Sequence, residues 1–122
     1  MKKYQWNAVP LERINEKIQR RMISGTNEML VRWEFVRGAY VGRHSHPHEQ
    51  IVVMLQGRLK LTVGNSETVM GPDDIVVIPP NVVHEAEALE DTVVTDIFSP
   101  PREDFLTGGT PEYFERGRSP AS

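Results

Sequence analysis

The stretch HSHPHEQIVVMLQG, from His44 to Gly57, decides most of what the sequence says about fold and function. It joins three histidines, a glutamate and a glutamine to an apolar run with the length and composition of a buried strand. Side chains of a strand alternate between its two faces, so an extended chain turns His44, His46 and Gln50 to one side and Glu49 to the other. Imidazole and carboxamide groups gathered on one side predict a metal site.

The ligand set follows from this alternation and from a second stretch downstream. Pro47 interrupts the strand, which predicts His48 at the rim of the pocket rather than on the metal. Glu49 stays open as an alternative ligand, because a bulge would reverse the alternation. In GPDDIVVIPPNVVH, a double proline and Asn81 turn the chain before His84 opens a new strand. The predicted metal ligands are His44, His46, Gln50 and His84.

Short β-like runs separated by glycine, proline, asparagine and aspartate recur along the chain, which predicts an all-β sandwich or barrel. Leu59, Leu61 and Val63 alternate with polar residues, as expected of a half-buried strand. A helical turn near residues 11–16 is an alternative to the strand that we favour from about residue 16. The 122 residues predict a single domain, with the barrel at about 16–99 and a partly flexible tail at 107–122.

The composition excludes several classes of function. There are no cysteines, so neither a disulfide framework nor a thiolate metal site is available. The formal charge of −3 argues against a nucleic-acid partner, which would require a basic face. No charged and apolar leader opens the sequence, and no apolar run approaches the length of a membrane span. We therefore expect a cytoplasmic protein without a membrane partner.

Two segments resemble the motifs of a known family. GAYVGRHSHPHEQIVVMLQG resembles the first cupin motif, G-x5-H-x-H-x3-E-x6-G, with Gln50 in place of the usual glutamate. GPDDIVVIPPNVVH resembles the second, with Asn81 in place of its usual glycine. The resemblance implies a cupin double-stranded β-helix, which is a jelly-roll barrel. It also implies a homodimer, because an exposed N-terminal strand, here around 16–23, commonly pairs between cupin subunits. Cupins host many chemistries, so the fold does not name the reaction.

The chemistry is narrowed by the glutamine and by TDIFSPPRED, from Thr95 to Asp104. Three imidazoles and a carboxamide leave the charge of a divalent ion uncompensated, which favours non-redox chemistry on an acidic substrate. Asp96 and Phe98 share one face of their strand, and Arg102 follows a Pro-Pro turn that can fold it back over the barrel mouth. A carboxylate beside a metal suits proton transfer, and a guanidinium suits a bidentate grip on a carboxylate. A surface Asp/Arg pair is the alternative interpretation of these two residues.

HPHEQ, PPNVVHEAEALEDTVVTDIFSPPRED and the short single-barrel length resemble the pectin-degradation cupins of the KdgF type over about residues 16–106. That family converts 4,5-unsaturated uronate monosaccharides, left by pectin and alginate lyases, to linear 5-keto-4-deoxyuronates. The resemblance implies catalytic roles for Asp96, Phe98 and Arg102, a small acidic sugar as substrate, and one divalent ion on the four ligands named above. The ion is Ni, Zn, Mn, Fe or Co, among which the sequence does not choose. Two alternatives stay open: a non-catalytic sugar-sensing cupin and a metal-dependent dioxygenase.

Overall fold

A computed structural model of the protein describes residues 1–109 and 111–115, and within them ten strands form two antiparallel sheets. The strands are β1 (Glu12–Asn15), β2 (Ile18–Ser24), β3 (Met29–Phe35), β4 (Tyr40–His44), β5 (Glu49–Gln56), β6 (Leu59–Val63), β7 (Ser66–Met70), β8 (Ile75–Ile78), β9 (His84–Ala88) and β10 (Thr92–Ser99). A short 3₁₀ helix (Trp6–Ala8) precedes them, and two short helices, α1 (Glu103–Leu106) and α2 (Glu112–Glu115), follow.

The order of the strands is that of a jelly-roll barrel. One sheet has the order β1-β2-β3-β10-β5-β8 and the other the order β4-β9-β6-β7. The last strand, β10, pairs on one side with β3 and on the other with β5, so the end of the barrel closes between two early strands. The predicted all-β fold class and single domain are confirmed.

The core lies between the two sheets and follows the alternation expected of half-buried strands. In β3, every second residue from Met29 to Phe35 is buried, which places Trp33 among the core residues. In β6, Leu59 and Leu61 are buried as predicted, whereas Lys60 between them is partly exposed. Gly57, which follows β5, has a φ of +91°, and a Cβ there would lie 2.3 Å from the Asp91 carbonyl oxygen. Only glycine fits at that turn.

The N-terminal region differs from the prediction in two respects. The helical turn considered near residues 11–16 is wrong, because Glu12–Asn15 forms β1 and pairs with β2. The side chain of Asn15 accepts a hydrogen bond from the backbone N–H of Lys17 at 2.8 Å, which stabilises the turn between the strands. Since β2 lies between β1 and β3, the strand around 16–23 is not an exposed edge that is free to pair with a second subunit. The homodimer itself stays a prediction, which solution scattering tests.

The chain after the barrel returns to pack on the core. In α2, the ring of Phe114 stacks on Trp33 with the centroids 5.0 Å apart, and its carbonyl accepts a hydrogen bond from Asn15. Within the predicted flexible tail at 107–122, residues 110 and 116–122 lie outside the described residues. None of the described helices has the length and apolar character needed to cross a membrane. The cytoplasmic location stays a prediction.

Candidate metal and substrate site

Three histidines come together through two paired strands and the loop beside them. His44 ends β4, His84 begins β9, and the two residues are opposite each other in the β4–β9 pairing. His46 lies in the loop between β4 and β5. One ring nitrogen of each histidine lies within 4.8 Å of those of the other two, so a single metal ion can be bound by all three.

The alternation of an extended chain does not by itself bring His44, His46 and Gln50 together. Since β4 ends at His44 and β5 begins at Glu49 in the opposite sheet, the interruption predicted at Pro47 separates two strands of different sheets. The loop between them is fixed by Asn81, whose backbone N–H donates to the His46 carbonyl at 2.8 Å. Asn81 has a φ of 67°, a left-handed conformation that asparagine tolerates better than other non-glycine residues. Asparagine can therefore stand where the second cupin motif usually has glycine.

Backbone carbonyls orient all three imidazole rings in the same way. The Nδ1 atoms of His44, His46 and His84 lie 2.6, 3.1 and 2.8 Å from the carbonyl oxygens of Gly42, His48 and Val82. A proton on each Nδ1 satisfies these contacts and leaves the Nε2 lone pairs for a metal. His84 Nε2 is buried and has no hydrogen-bond partner among the described residues, as expected of a ligand atom.

Burial also keeps the rings neutral, which metal binding requires. It lowers the pKa of His44 to about 3 and the pKa of His46 to about 4. The pKa of His84 is lowered as well, again mainly through burial. The three imidazoles therefore fit a divalent ion without first losing protons at neutral pH.

Gln50 reaches His46 of the histidine cluster, and the two residues before it, His48 and Glu49, are not part of the cluster. Gln50 is buried, and its Oε1 lies 3.1 Å from His46 Nε2. Glu49 is exposed at the start of β5, and His48 is only partly buried in the loop. The Gln50 carboxamide therefore lies beside the His46 imidazole, and its role as the fourth ligand and the place of His48 at the rim stay predictions.

Asp96 is a buried carboxylate on β10 that interacts with Gln50. Its Oδ2 accepts a hydrogen bond from the Trp33 indole at 2.9 Å, and the carboxylate also accepts one from the Gln50 side chain. Since the amide nitrogen is the only donor of that side chain, this bond turns the amide oxygen towards the histidines. Burial raises the pKa of Asp96 to about 6, against the opposing effect of these two hydrogen bonds.

Arg102 and Phe98 line the same cavity. The Phe98 ring lies edge-on to His46, with the centroids 5.6 Å apart, and the Arg102 guanidinium lies 5.1 Å from the Phe98 centroid. Asp104 binds Arg102 through two hydrogen bonds, from Nε at 3.0 Å and from Nη2 at 2.7 Å. Arg102 is buried by these neighbours. The alternative of a surface Asp/Arg pair is therefore wrong for Asp96 and Arg102, since both are buried and line the cavity.

Sequence reasoning missed several residues that complete the site. Trp33 orients Asp96 but was visible only as one apolar residue of an alternating strand. Phe105 lies against both Arg102 and Arg20, whose guanidinium carbons are 4.1 and 4.5 Å from the centroid of its ring. The contact with the ring helps to hold Arg102 in the pocket. Tyr113 stacks on His44 at 3.8 Å with the rings 5° from parallel. Nothing in the sequence distinguished Tyr113 from the rest of the tail.

The cavity among these side chains has a volume of about 50 Å³. Its lining includes His44, Gln50, His84, Asp96 and Arg102, so all of the predicted metal ligands except His46 share one space with the predicted catalytic residues. Most of the rest of its wall consists of apolar side chains from both sheets, and Glu85 and Tyr113 also contribute to it. A mainly apolar wall with a few polar groups that point into the same cavity is typical of sites that bind small molecules.

Residues 31–98 match the model of the cupin domain family, and the chain belongs to that family. Among its relatives, the chain is 30% identical over 103 residues to the pectin degradation protein KdgF of Dickeya dadantii. This alignment covers 82% of the chain and 94% of that relative.

Solved structures with the same fold include KdgF from a Halomonas species, which is 33% identical, with a TM-score of 0.78. That alignment covers 82% of this chain and 94% of the Halomonas chain. An RmlC-like cupin from Shewanella frigidimarina is 29% identical, with a TM-score of 0.80 over 84% of this chain and 93% of that one. The sequence resemblance to cupins and to KdgF is thereby confirmed.

Proposed function

We propose that the protein is a pectin-degradation enzyme that converts 4,5-unsaturated uronate monosaccharides to linear 5-keto-4-deoxyuronates. The observation that carries this proposal is the cavity that Asp96 and Arg102 line together with His44, His84 and Gln50. His46 joins the two histidines in the candidate metal cluster. The similarity to KdgF over most of the chain supports the same assignment. An unsaturated uronate from an alginate lyase carries the same reacting groups, so both polymers are possible sources.

Recognition of the substrate begins with its carboxylate, the one permanent charge on an unsaturated uronate. Arg102 is the cation that lines the cavity, and its guanidinium matches the geometry of a carboxylate. Asp104 holds this guanidinium from one side, so it is oriented before a ligand arrives. Phe98 forms the adjacent apolar wall, which favours one face of the sugar ring.

The reaction rearranges protons and bonds without adding or removing atoms. The hemiacetal opens when the C1 hydroxyl loses its proton and the bond between C1 and the ring oxygen breaks, which gives an aldehyde and a C5 enolate. Protonation at C4 then gives the C5 ketone. One proton leaves oxygen and one arrives at carbon, so a single acid–base group balances the reaction. We assign this role to Asp96, a buried carboxyl group that lines the cavity and interacts with Gln50.

A divalent ion bound by His44, His46, Gln50 and His84 would supply a Lewis acid for the oxygen atoms beside the reacting carbons. Nothing in this reaction requires a redox change, so a metal with neutral ligands suffices. The function is tested by incubating the protein with lyase-generated unsaturated galacturonate and following the enol-ether absorbance with and without a chelator. Consumption that stops on chelation is expected. Binding of the sugar without turnover would instead assign the protein to the sugar-sensing cupins.

The fourth metal ligand is tested by comparing two adjacent residues. We expect Gln50→Ala to weaken metal binding by at least about tenfold, because the carboxamide oxygen faces the imidazoles. Glu49→Ala serves as the matched control and should keep its metal, because Glu49 is exposed. Elemental analysis after dialysis against a graded chelator measures both, and the parent protein should hold about one ion per chain. Loss of metal in the Glu49 variant would contradict the assignment.

We expect Arg102→Ala to act mainly on KM, which should rise roughly tenfold to a hundredfold. The reason is that hydrogen bonds to a charged group contribute about 1.5–3 kcal/mol and are made in the ground state as well as in the transition state. Arg102→Lys should recover only part of this loss, because an ammonium lacks the paired N–H groups. Arg58→Ala, at a half-exposed arginine elsewhere, is the control for loss of positive charge. An unchanged KM in Arg102→Ala would exclude the carboxylate grip.

A further inference from the structure

The C-terminal helix occupies the place that an acidic ligand needs. Tyr113 in α2 covers one face of His44 with its ring, and its hydroxyl accepts a hydrogen bond from Nη2 of Arg102 at 2.6 Å. The space that remains is about 50 Å³, well below the roughly 300–1,000 Å³ of sites that bind small molecules. A sugar ring therefore does not fit until a group at the mouth of the cavity moves.

The hydrogen bonds of Arg102 show which group that is. A guanidinium offers two edges to a carboxylate, one formed by Nε with one Nη and the other by both Nη atoms. Asp104 takes the first edge, with Nε and Nη2 each donating to one carboxylate oxygen. The remaining proton of Nη2 is donated to Tyr113, so this hydroxyl holds half of the second edge. The second edge is the one left for a ligand.

We propose that Tyr113 is a specificity-determining gate that stands in for the substrate carboxylate on Arg102 and is displaced only by an acidic sugar. This inference rests on the proposed function, because it takes an acidic sugar to be the ligand. A carboxylate can accept from both Nη atoms and carries a charge, so it binds Arg102 more strongly than a phenol hydroxyl that accepts one bond. A neutral sugar has no group that replaces the hydroxyl to advantage, and it leaves the ring of Tyr113 on His44.

The anchoring of α2 is consistent with a movable tyrosine on a fixed helix. Phe114 is buried, stacks on Trp33 and binds Asn15 through its carbonyl, whereas the adjacent Tyr113 is only partly buried. Both residues line the cavity and pack against the core, but the stacking on Trp33 and the hydrogen bond from Asn15 belong to Phe114. Rotation of the Tyr113 side chain leaves these two contacts of Phe114 in place.

Calorimetry with D-galacturonate, a saturated uronate that lacks the reacting double bond, tests the gate on the metal-loaded protein. Tyr113→Phe removes the hydroxyl that competes for Arg102, so it should bind galacturonate about tenfold more tightly than the parent protein. Tyr113→Ala, which also removes the ring, should bind at least as tightly as Tyr113→Phe. Tyr4→Phe, at an exposed tyrosine near the N-terminus, is the matched control and should leave the affinity unchanged. D-Galactose, the neutral counterpart, should not gain affinity from Tyr113→Phe.

The sign of the change separates a gate from a fixed support. If Tyr113 merely held Arg102 in place, both variants would bind galacturonate more weakly, and that result overturns the proposal. Equal affinity of the parent protein and Tyr113→Phe, or no binding by either, overturns it as well. Because galacturonate is not turned over, these results are independent of the enol-ether assay. Failure of the proposed reaction is therefore distinguishable from failure of the gate.

Discussion

Asp96→Asn should lower kcat for unsaturated galacturonate by about a hundredfold or more, with little change in KM. A positioned general acid or base is usually worth a factor of this size, and an amide cannot take or return the proton. Asparagine keeps the shape of the side chain and can still accept the Trp33 hydrogen bond through its oxygen. Initial rates from the enol-ether absorbance, at several substrate concentrations, separate the two kinetic parameters.

Two controls belong to this experiment, because Asp96 also touches Gln50. Metal content should be measured in the variant, since Asp96 orients the carboxamide that faces the histidines. Asp73→Asn is the matched substitution at an exposed carboxylate, in a turn with a φ of 72° that asparagine tolerates, and it should retain full activity. Turnover by Asp96→Asn at the parent rate, with metal present, would exclude the role in proton transfer.

Most of the barrel could be predicted because its strands are half buried. A strand with one face in the core and one face outside alternates between buried and more exposed side chains, and β3 and β6 show this alternation. The short strand β1 could not be recognised in the same way. Its four residues include no fully buried side chain, and the apolar spacing around it fits a helix as well as a strand.

The ligands of the candidate metal site could be predicted from residue type, but their geometry could not. His44 and Gln50 belong to opposite sheets, so their convergence depends on how the barrel closes and not on a local alternation. His46 is linked to the turn at Asn81 by a backbone hydrogen bond between residues 35 positions apart. A local sequence pattern cannot predict a hydrogen bond over this separation. The spacing therefore identified three histidines that do lie together, although the arrangement that brings them together is not local.

The hydrogen bonds that orient Asp96 and Arg102 in the site were the hardest features to predict. The hydrogen bond from Trp33 to Asp96 joins β3 to β10, and the contact of Tyr113 with Arg102 joins α2 to the segment after β10. Both depend on long-range packing of side chains whose residue types are common in cores and tails. An apolar residue in a core strand usually contributes only to packing, so nothing in the sequence singled out Trp33.

The remaining prediction with a large effect concerns the metal. His84→Ala should lose the bound ion and lower kcat/KM at least about a thousandfold, because a Lewis acid stabilises the transition state by several kcal/mol. His84 is buried, and its Nε2 has no hydrogen-bond partner among the described residues. The substitution therefore removes no hydrogen bond of Nε2 within the described part of the protein. His48→Ala is the matched control: its ring lies in the loop outside the cluster, and this variant should keep its metal.

Chelation supplies the second half of the test, since a ligand that binds only the native state raises the melting temperature by mass action. A chelator should lower both the melting temperature and the activity of the parent protein, and added metal should restore them. The melting temperature of His84→Ala should not respond to chelator or metal, because the variant has no ion to lose. A variant that retained its ion and its activity would show that His84 is not a ligand. A parent protein that remained fully active after its metal was removed would exclude the metal from the reaction, and Arg102 and Asp96 would then have to carry it alone.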